Sequence, residues 1–254
     1  MSDALQVGYR AIDTAQAYFN EEGVGNAWKN SGIARDELFI TTKVWISRYG
    51  EGKTMNSIDE SLRKLQTEYV DLLLLHQCFG DYYGAYRDLE KALRAGKVRA
   101  IGVSNFYYDR FADLAENMDV KPTMNQIETH VFCQQRQMRE ICARCGTQLT
   151  AWGPFAEGKN DIFSHPVLTA IGTNHGKTAA QVALRFLLEQ GVVVIPKSTH
   201  KNRMKQNLDI LDFNLSSDEV ERIATLDEGH GLVVNFDDVN VRMGLQNALK
   251  KYNF

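Results

Sequence analysis

The chain has 254 residues, 44% of them hydrophobic, and a net charge of −3. That balance leaves no basic footprint for nucleic acid or an anionic membrane surface, and no apolar stretch approaches the roughly 20 residues that span a bilayer. The length suits one (β/α)8 barrel of roughly 250 residues and is enough to bury a large core. Met1–Ala4 shows neither the basic nor the apolar part of a signal peptide. The four cysteines are too few for a disulfide framework in a chain this long, so they are expected to be reduced thiols in a cytoplasmic protein.

A helical scrap, Asp3–Gln6, comes first. Behind it, β-like runs alternate with helical patterns. The runs are Tyr9–Asp13, Leu38–Val44, Val70–His76, Val98–Val103, Thr123–Ile127, Gln148–Trp152 and Val192–Pro196. Most are almost continuously apolar, as strands buried on both faces of a parallel sheet must be. Between them, Lys53–Leu65 puts Met55, Ile58, Leu62 and Leu65 on one helical face, with Asp59, Glu60, Arg63 and Lys64 mostly on the other. Thr178 with Gln181, and Ser216 with Glu219, have the spacing of capping boxes. Gly146 and Gly191 stand where helices should stop. No linker, composition shift or repeat divides the chain, so one domain is expected over residues 1–254, with a tail from about residue 228. Strict alternation of β and α argues for a parallel sheet with right-handed crossovers. Seven runs fit either a doubly wound open sheet or a barrel without its first strand, and the spacing does not choose.

Three polar residues stand at the ends of separate runs: Asp13, Lys43 and His76. Tyr18 lies five residues beyond Asp13. Parallel sheets build their sites at the C-terminal ends of their strands. Singly, each residue is better read as a solvated lysine, a hydrogen-bonded histidine or a turn aspartate. Together they form a candidate proton-transfer group. A free phenol has a pKa of about 10. A neighbouring ammonium favours the phenolate, and a carboxylate holds that ammonium in place. A histidine beside the phenol can orient a substrate oxygen. With a hydride from a cofactor, such a group reduces a carbonyl.

The motifs around these residues resemble the aldo-keto reductases. They are GYRAIDTAQAY (8–18), NEEGVG (20–25), ELFITTKVW (37–45), YVDLLLLH (69–76), GKVRAIGVSNF (96–106), MNQIE (124–128) and GVVVIPKST (191–199). They follow the family's order from Gly8 to about Asp227. The resemblance implies a TIM-type (β/α)8 barrel that binds NADPH without a Rossmann domain and reduces aldehydes or ketones. It implies Tyr18 as the acid, with Lys43, Asp13 and His76 completing a catalytic tetrad. Ser104, Asn105 and Gln126 match the residues that hold the nicotinamide carboxamide, and Trp152 the aromatic that stacks on the ring. Gly153 and Phe155 match positions beside the cofactor. Lys197, Ser198 and Arg203 match the adenosine 2′-phosphate site, where an arginine fork and a helix start suit a phosphate. Gln206 and Asn207 match the adenine contacts. Trp45 and Gln77 match the substrate pocket.

The chain also departs from the family. About seven residues precede the GYR motif, so the first strand and most of the first helix are expected to be missing. That would leave two open sheet edges, lower the stability, and favour self-association in a family whose members are monomers. Gln77-Cys78 stands in place of a common Trp-Pro, Gly153 in place of Ser, and Gln206 in place of Glu. The tail, with Val233, Asn235 and Phe236, is expected over the barrel mouth. The alternative reading is a truncated barrel that serves as an NADPH-binding or interaction module. Gly23-x-Gly25 lacks the third glycine of a dinucleotide fingerprint. Cys142-x-x-Cys145 has no second ligand pair, and no ligand cluster supports a metal-dependent hydrolase.

Overall fold

The computed structural model describes residues 1–251. They pack as two compact units. One comprises residues 1–125, 141–147 and those from Gly244 onward; the other comprises residues 126–140 and 148–243.

In the first unit, α1 (Ser2–Val7) leads to β1 (Ala11–Asp13) and a 3₁₀ turn (Gln16–Tyr18). Then come α2 (Glu21–Lys29), β2 (Phe39–Val44), α3 (Lys53–Leu65), β3 (Leu72–Leu75), α4 (Tyr82–Arg94), β4 (Ile101–Ser104) and α5 (Tyr108–Asn117). These four strands pair in parallel, with Asp13 beside Thr41, Lys43 beside Leu74 and Leu75 beside Val103. All four leucines of β3 are buried, as a strand covered on both faces requires. At the N-terminal edge, the buried Asp71 carboxylate accepts from the Ile40 amide at 2.9 Å, Arg35 at 2.7 Å and Arg99 at 3.1 Å. Both guanidiniums lie over the Tyr69 ring, at 4.2 and 3.9 Å from its centroid.

Helix α3 occupies the expected residues and buries Ile58, Leu62 and Leu65, with Met55 half-buried. The same stripe also buries Thr54, Ser57 and Ser61. Gly25 explains how α2 can lie so close. A Cβ there would come within 2.5 Å of the Lys64 carbonyl oxygen, so this glycine serves helix packing.

The chain continues through β5 (Met124–Glu128), α6 (Arg136–Arg144), β6 (Gln148–Trp152), α7 (Pro166–His175), α8 (Ala179–Glu189) and β7 (Val193–Val194). It ends in α9 (Lys201–Leu208), α10 (Ser217–Ala224) and α11 (Val239–Lys251). In the second unit β6 and β7 pair in parallel, Thr150 with Val193 and Ala151 with Val194. Both capping boxes form, Thr178 with Gln181 and Ser216 with Glu219. Gly146 and Gly191 take φ of 72° and 74° after their helices, in the left-handed region that glycine enters without strain. Residues 252–254 of the tail lie outside the described residues.

All seven expected strands are present, most of them shorter than their apolar runs. Val70, for example, makes only an isolated bridge to Val98. Apolarity reports burial, and burial extends past the residues that make ladder hydrogen bonds. The sheet order is β1-β2-β3-β4-β5-β6-β7. A doubly wound sheet reverses its order at a switch point. This order never reverses, which is how a barrel is wound.

Candidate active site

Asp13 is the last residue of β1, Lys43 the second-last of β2, and His76 follows β3 directly. Parallel pairing delivers all three to the C-terminal ends of adjacent strands. The Lys43 side chain is fully buried. Its ammonium donates to Asp13 Oδ1 in a short ion pair and to the Thr14 carbonyl at 3.1 Å. An ammonium taken out of water costs several kcal/mol unless it is paired, and Asp13 is the carboxylate that offsets that cost for Lys43. Lys43 Nζ is 5.1 Å from the centroid of the Tyr18 ring.

Tyr18 closes the 3₁₀ turn and is 49% exposed. Its ring meets His76 edge-on, with centroids 5.6 Å apart and planes at 85°. On another side, the Trp45 indole meets His76 at 5.1 Å and 79°. Burial, and then the Lys43 charge, push the His76 imidazole well below its ordinary pKa. The ring is therefore neutral near pH 7 and can donate from only one nitrogen. Nδ1 has no hydrogen-bond partner among the described residues.

Two neighbours fix the strand ends around His76. Asn105 takes a left-handed φ of 62°, which asparagine tolerates better than most residues. Its Nδ2 donates to the His76 carbonyl at 3.0 Å and to Ser104 Oγ at 3.2 Å. The Tyr49 hydroxyl donates to the Gln77 carbonyl at 2.9 Å and accepts from the Gln77 amide at 3.0 Å. Burial pushes the Tyr49 phenol above its ordinary pKa, so it stays neutral and can serve both bonds. Nothing in the sequence marks Tyr49 for this role. A hydroxyl bonded to a backbone 28 residues away leaves no periodic trace.

In the second unit, Gln126 lies in the middle of β5, buried, rather than at the strand's end. Trp152 ends β6, half-buried. Gly153 takes a φ of 61°, and Phe155 packs on Phe163 with centroids 5.4 Å apart. Lys197 and Arg203 are exposed, and neither has an ion-pair partner among the described residues. Ser198 Oγ accepts from the His200 amide at 3.0 Å and shapes the loop before α9. Asn207 is buried and Gln206 exposed. Unpaired cations at the start of a helix fit the phosphate of a phosphorylated dinucleotide.

The sequence profile of the Aldo/keto reductase family matches residues 1–228. The chain belongs to the aldo/keto reductase family. Its winding is that of the family's (β/α)8 fold, with seven strands. The reductase is an oxidoreductase that takes hydride from NADPH to reduce aldehydes or ketones. It is 44% identical over 237 residues to the glyoxal reductase of Bacillus subtilis (strain 168), covering 93% of this chain and 85% of that protein. The methylglyoxal reductase DkgA of Escherichia coli (strain K12) is 41% identical over 232 residues, 90% and 84% of the two chains. The crystal structure of a Bombyx mori aldo-keto reductase in complex with NADP superposes with a TM-score of 0.87 at 32% identity, covering 94% of this chain and 84% of that one. Among the described residues, no helix of the reductase is long and apolar enough to cross a membrane.

Proposed function

We propose that the reductase converts small 1,2-dicarbonyls to hydroxycarbonyls, with Tyr18 as the proton donor. The observation that carries this reading is the Asp13–Lys43 pair beneath the Tyr18 ring, with a neutral His76 alongside. The names of the glyoxal and methylglyoxal reductases support the substrate class.

NADPH, when bound, supplies the hydride. Tyr18 gives its proton to the carbonyl oxygen as negative charge grows there. The Lys43 ammonium stabilises the charge left on the phenol oxygen, and Asp13 holds that ammonium in place. His76, being neutral, directs the carbonyl oxygen by a hydrogen bond without competing for the proton. Trp45 walls the pocket and Gln77 lines it. Ser104, Asn105 and Gln126 serve the nicotinamide carboxamide, and Trp152 its ring, with Gly153 and Phe155 beside them. Lys197, Ser198 and Arg203 take the 2′-phosphate, and Gln206 and Asn207 the adenine. In this reading residues 1–254 work as one domain, the tail from about 228 influences substrate choice, and the protein is cytoplasmic, a monomer by family habit but open to self-association through its exposed sheet edges, without nucleic-acid or membrane partners. The net charge of −3 supports the last point.

NADPH consumption with glyoxal and methylglyoxal tests the reading. Tyr18→Phe should lower kcat by about 10²–10⁴-fold and leave NADPH affinity within about twofold of the parent. A Tyr18→Phe enzyme that turns over at the parental rate removes Tyr18 from the role.

A further inference from the structure

The Tyr18 turn lies at the surface. Tyr18 is 49% exposed and Phe19 is 69% exposed. A side chain whose proton must leave within hydrogen-bond reach of the substrate needs something firmer. The firmest cross-tie is Gln16, the first residue of the turn. Its backbone carbonyl accepts from the Phe19 amide at 3.2 Å and so closes the turn. Its carboxamide then spends its two ends on two other elements. Oε1 accepts from the Trp45 amide at 2.9 Å. Nε2 donates to the Ser57 carbonyl at 3.1 Å and to Ser61 Oγ at 3.0 Å, both on α3.

The tie continues into the tetrad's own strand. Ser61 Oγ donates to Glu21 Oε2 at 3.3 Å, and Thr42 Oγ1 donates to Glu21 Oε1 at 2.7 Å. Thr42 precedes Lys43 in β2, and Trp45 follows Val44 at the end of that strand. One carboxamide therefore joins the turn that bears the phenol, the strand that bears the ammonium, and the helix behind both. It also fixes the backbone of the indole that packs on His76.

We propose that Gln16 is a positioning residue for catalysis: it sets Tyr18 against Lys43, His76 and Trp45. It acts through these residues and is not itself required to touch substrate. The inference rests on Tyr18 being the acid.

Several charged or titratable groups face the tie and its partners. They are Glu21 on α2, Glu60 and Lys64 on α3, Lys43 on β2, Asp13 on β1, and the Tyr18 phenol. Burial raises the Glu21 carboxyl above its ordinary value, against the hydrogen bonds of Thr42 and Ser61. A second carboxylate at position 16 would share Ser61 with it. Gln16→Glu keeps the acceptor for the Trp45 amide. Its other oxygen would face the Ser57 carbonyl, which only a protonated carboxyl can satisfy.

The experiment compares the parent, Gln16→Ala, Gln16→Glu and Tyr18→Phe. It measures kcat with methylglyoxal, NADPH affinity by fluorescence titration, and thermal melting. Gln16→Ala should lose about tenfold to a hundredfold in kcat, the scale of a small misplacement of a reacting group, with NADPH affinity within about twofold of the parent. Gln16→Glu should show a similar loss near neutrality. Relative to the parent at each pH, it should recover severalfold as pH is lowered from about 8 to about 5.5, where the new carboxyl gains its proton. A space-filling role would not produce that recovery. If Tyr18→Phe works at the parental rate, the acid assignment falls and takes this inference with it. If Tyr18→Phe is inactive while Gln16→Ala keeps its kcat within about twofold, the inference alone falls. A kcat loss matched by equal losses of NADPH affinity and melting temperature also overturns it, because Gln16 would then hold the fold and not the turn.

Discussion

His76 owes its neutrality to its surroundings, and neutrality is what its proposed role needs. An imidazolium beside the Lys43 ammonium would bury two like charges. Burial alone already disfavours the protonated ring, and Lys43 adds to that. The effect on folding has a definite sign. The unfolded histidine takes up a proton near its ordinary value of 6.5, and the folded one does not until well below it. Below pH 6.5 the unfolded chain therefore binds more protons, and the contribution of this group to stability is lost as pH falls from 6.5 toward the lower folded value. Above 6.5 both states carry the neutral ring, and the contribution is full and independent of pH. Nitrogen chemical shifts of the labelled imidazole should accordingly stay those of a neutral ring as pH passes down through 6.5. A midpoint at or above about 6.5 would show that the ring is not desolvated as the structure has it. Asp13, Lys43 and His76 were legible in the sequence because each ends an apolar run, and the order of parallel strands turns run ends into neighbours. Gln16 and Tyr49 were not. Both act by bonding side chain to backbone across 28 to 41 residues of chain, and such bonds impose no pattern on the residues between.

Helix α3 shows what periodicity reveals and what it hides. Its apolar face was readable, and its ends fell where expected. Thr54, Ser57 and Ser61 repeat at the same helical spacing and are buried with that face, yet a hydroxyl counts as polar in any hydrophobic pattern. The stripe was visible only to a reading that admits small polar residues to the core when they have partners. The tail poses the same problem over a longer span. Glu128, at the end of β5, is fully buried. Its carboxylate accepts from the amides of Leu232, Val233 and Val234 at 2.7, 2.8 and 2.9 Å, and contacts His130 Nε2 at 3.1 Å. The loop is shaped to fit: a Cβ on Gly231 would come within 2.3 Å of the Val234 carbonyl oxygen. Lys159 adds a bond to the Leu232 carbonyl at 2.6 Å. Burial raises the Glu128 carboxyl, but the bonds from His130, Val233 and Val234 outweigh it and hold the group below its ordinary value of 4.5. The latch is thus intact above pH 4.5 and is lost as pH falls through the lower folded value. Glu128→Gln offers one oxygen and an unwanted donor to three amides. Charge-assisted bonds are worth about 1.5–3 kcal/mol each, so the variant should lose roughly 2–4 kcal/mol of latch stability. Limited proteolysis reads this directly. Cleavage between residues 228 and 238 should become fast in Glu128→Gln at neutral pH while residues 1–125 stay protected. Equal resistance of variant and parent would mean that the tail is held by other contacts.

At the scale of the whole molecule, the question left open by spacing was how seven strands are wound, and strand order answered it. No run of residues encodes that order locally, since both architectures alternate β and α. The family motifs do encode it, because they come in a fixed order along the chain. The cofactor is the remaining global term. A ligand that binds only the folded chain stabilises it by about 2.7 kcal/mol at one hundred times its Kd. A chain of 150–250 residues gains roughly 2–4 °C in Tm per kcal/mol. Saturating NADPH should therefore raise Tm by roughly 5–10 °C. NADH differs by the absent 2′-phosphate, so it tests whether Lys197 and Arg203 are the groups that the phosphate engages. Both cations are exposed and unpaired among the described residues, so they have no intramolecular bond to give up on binding. Arg203→Ala should weaken NADPH about 10- to 100-fold, the worth of one charge-assisted phosphate contact, and leave NADH affinity nearly unchanged. The Tm shift with NADPH should then shrink toward that with NADH. If Arg203→Ala weakens both cofactors equally, the arginine supports the loop before α9 rather than the phosphate, and the preference for NADPH must come from Lys197 and Ser198.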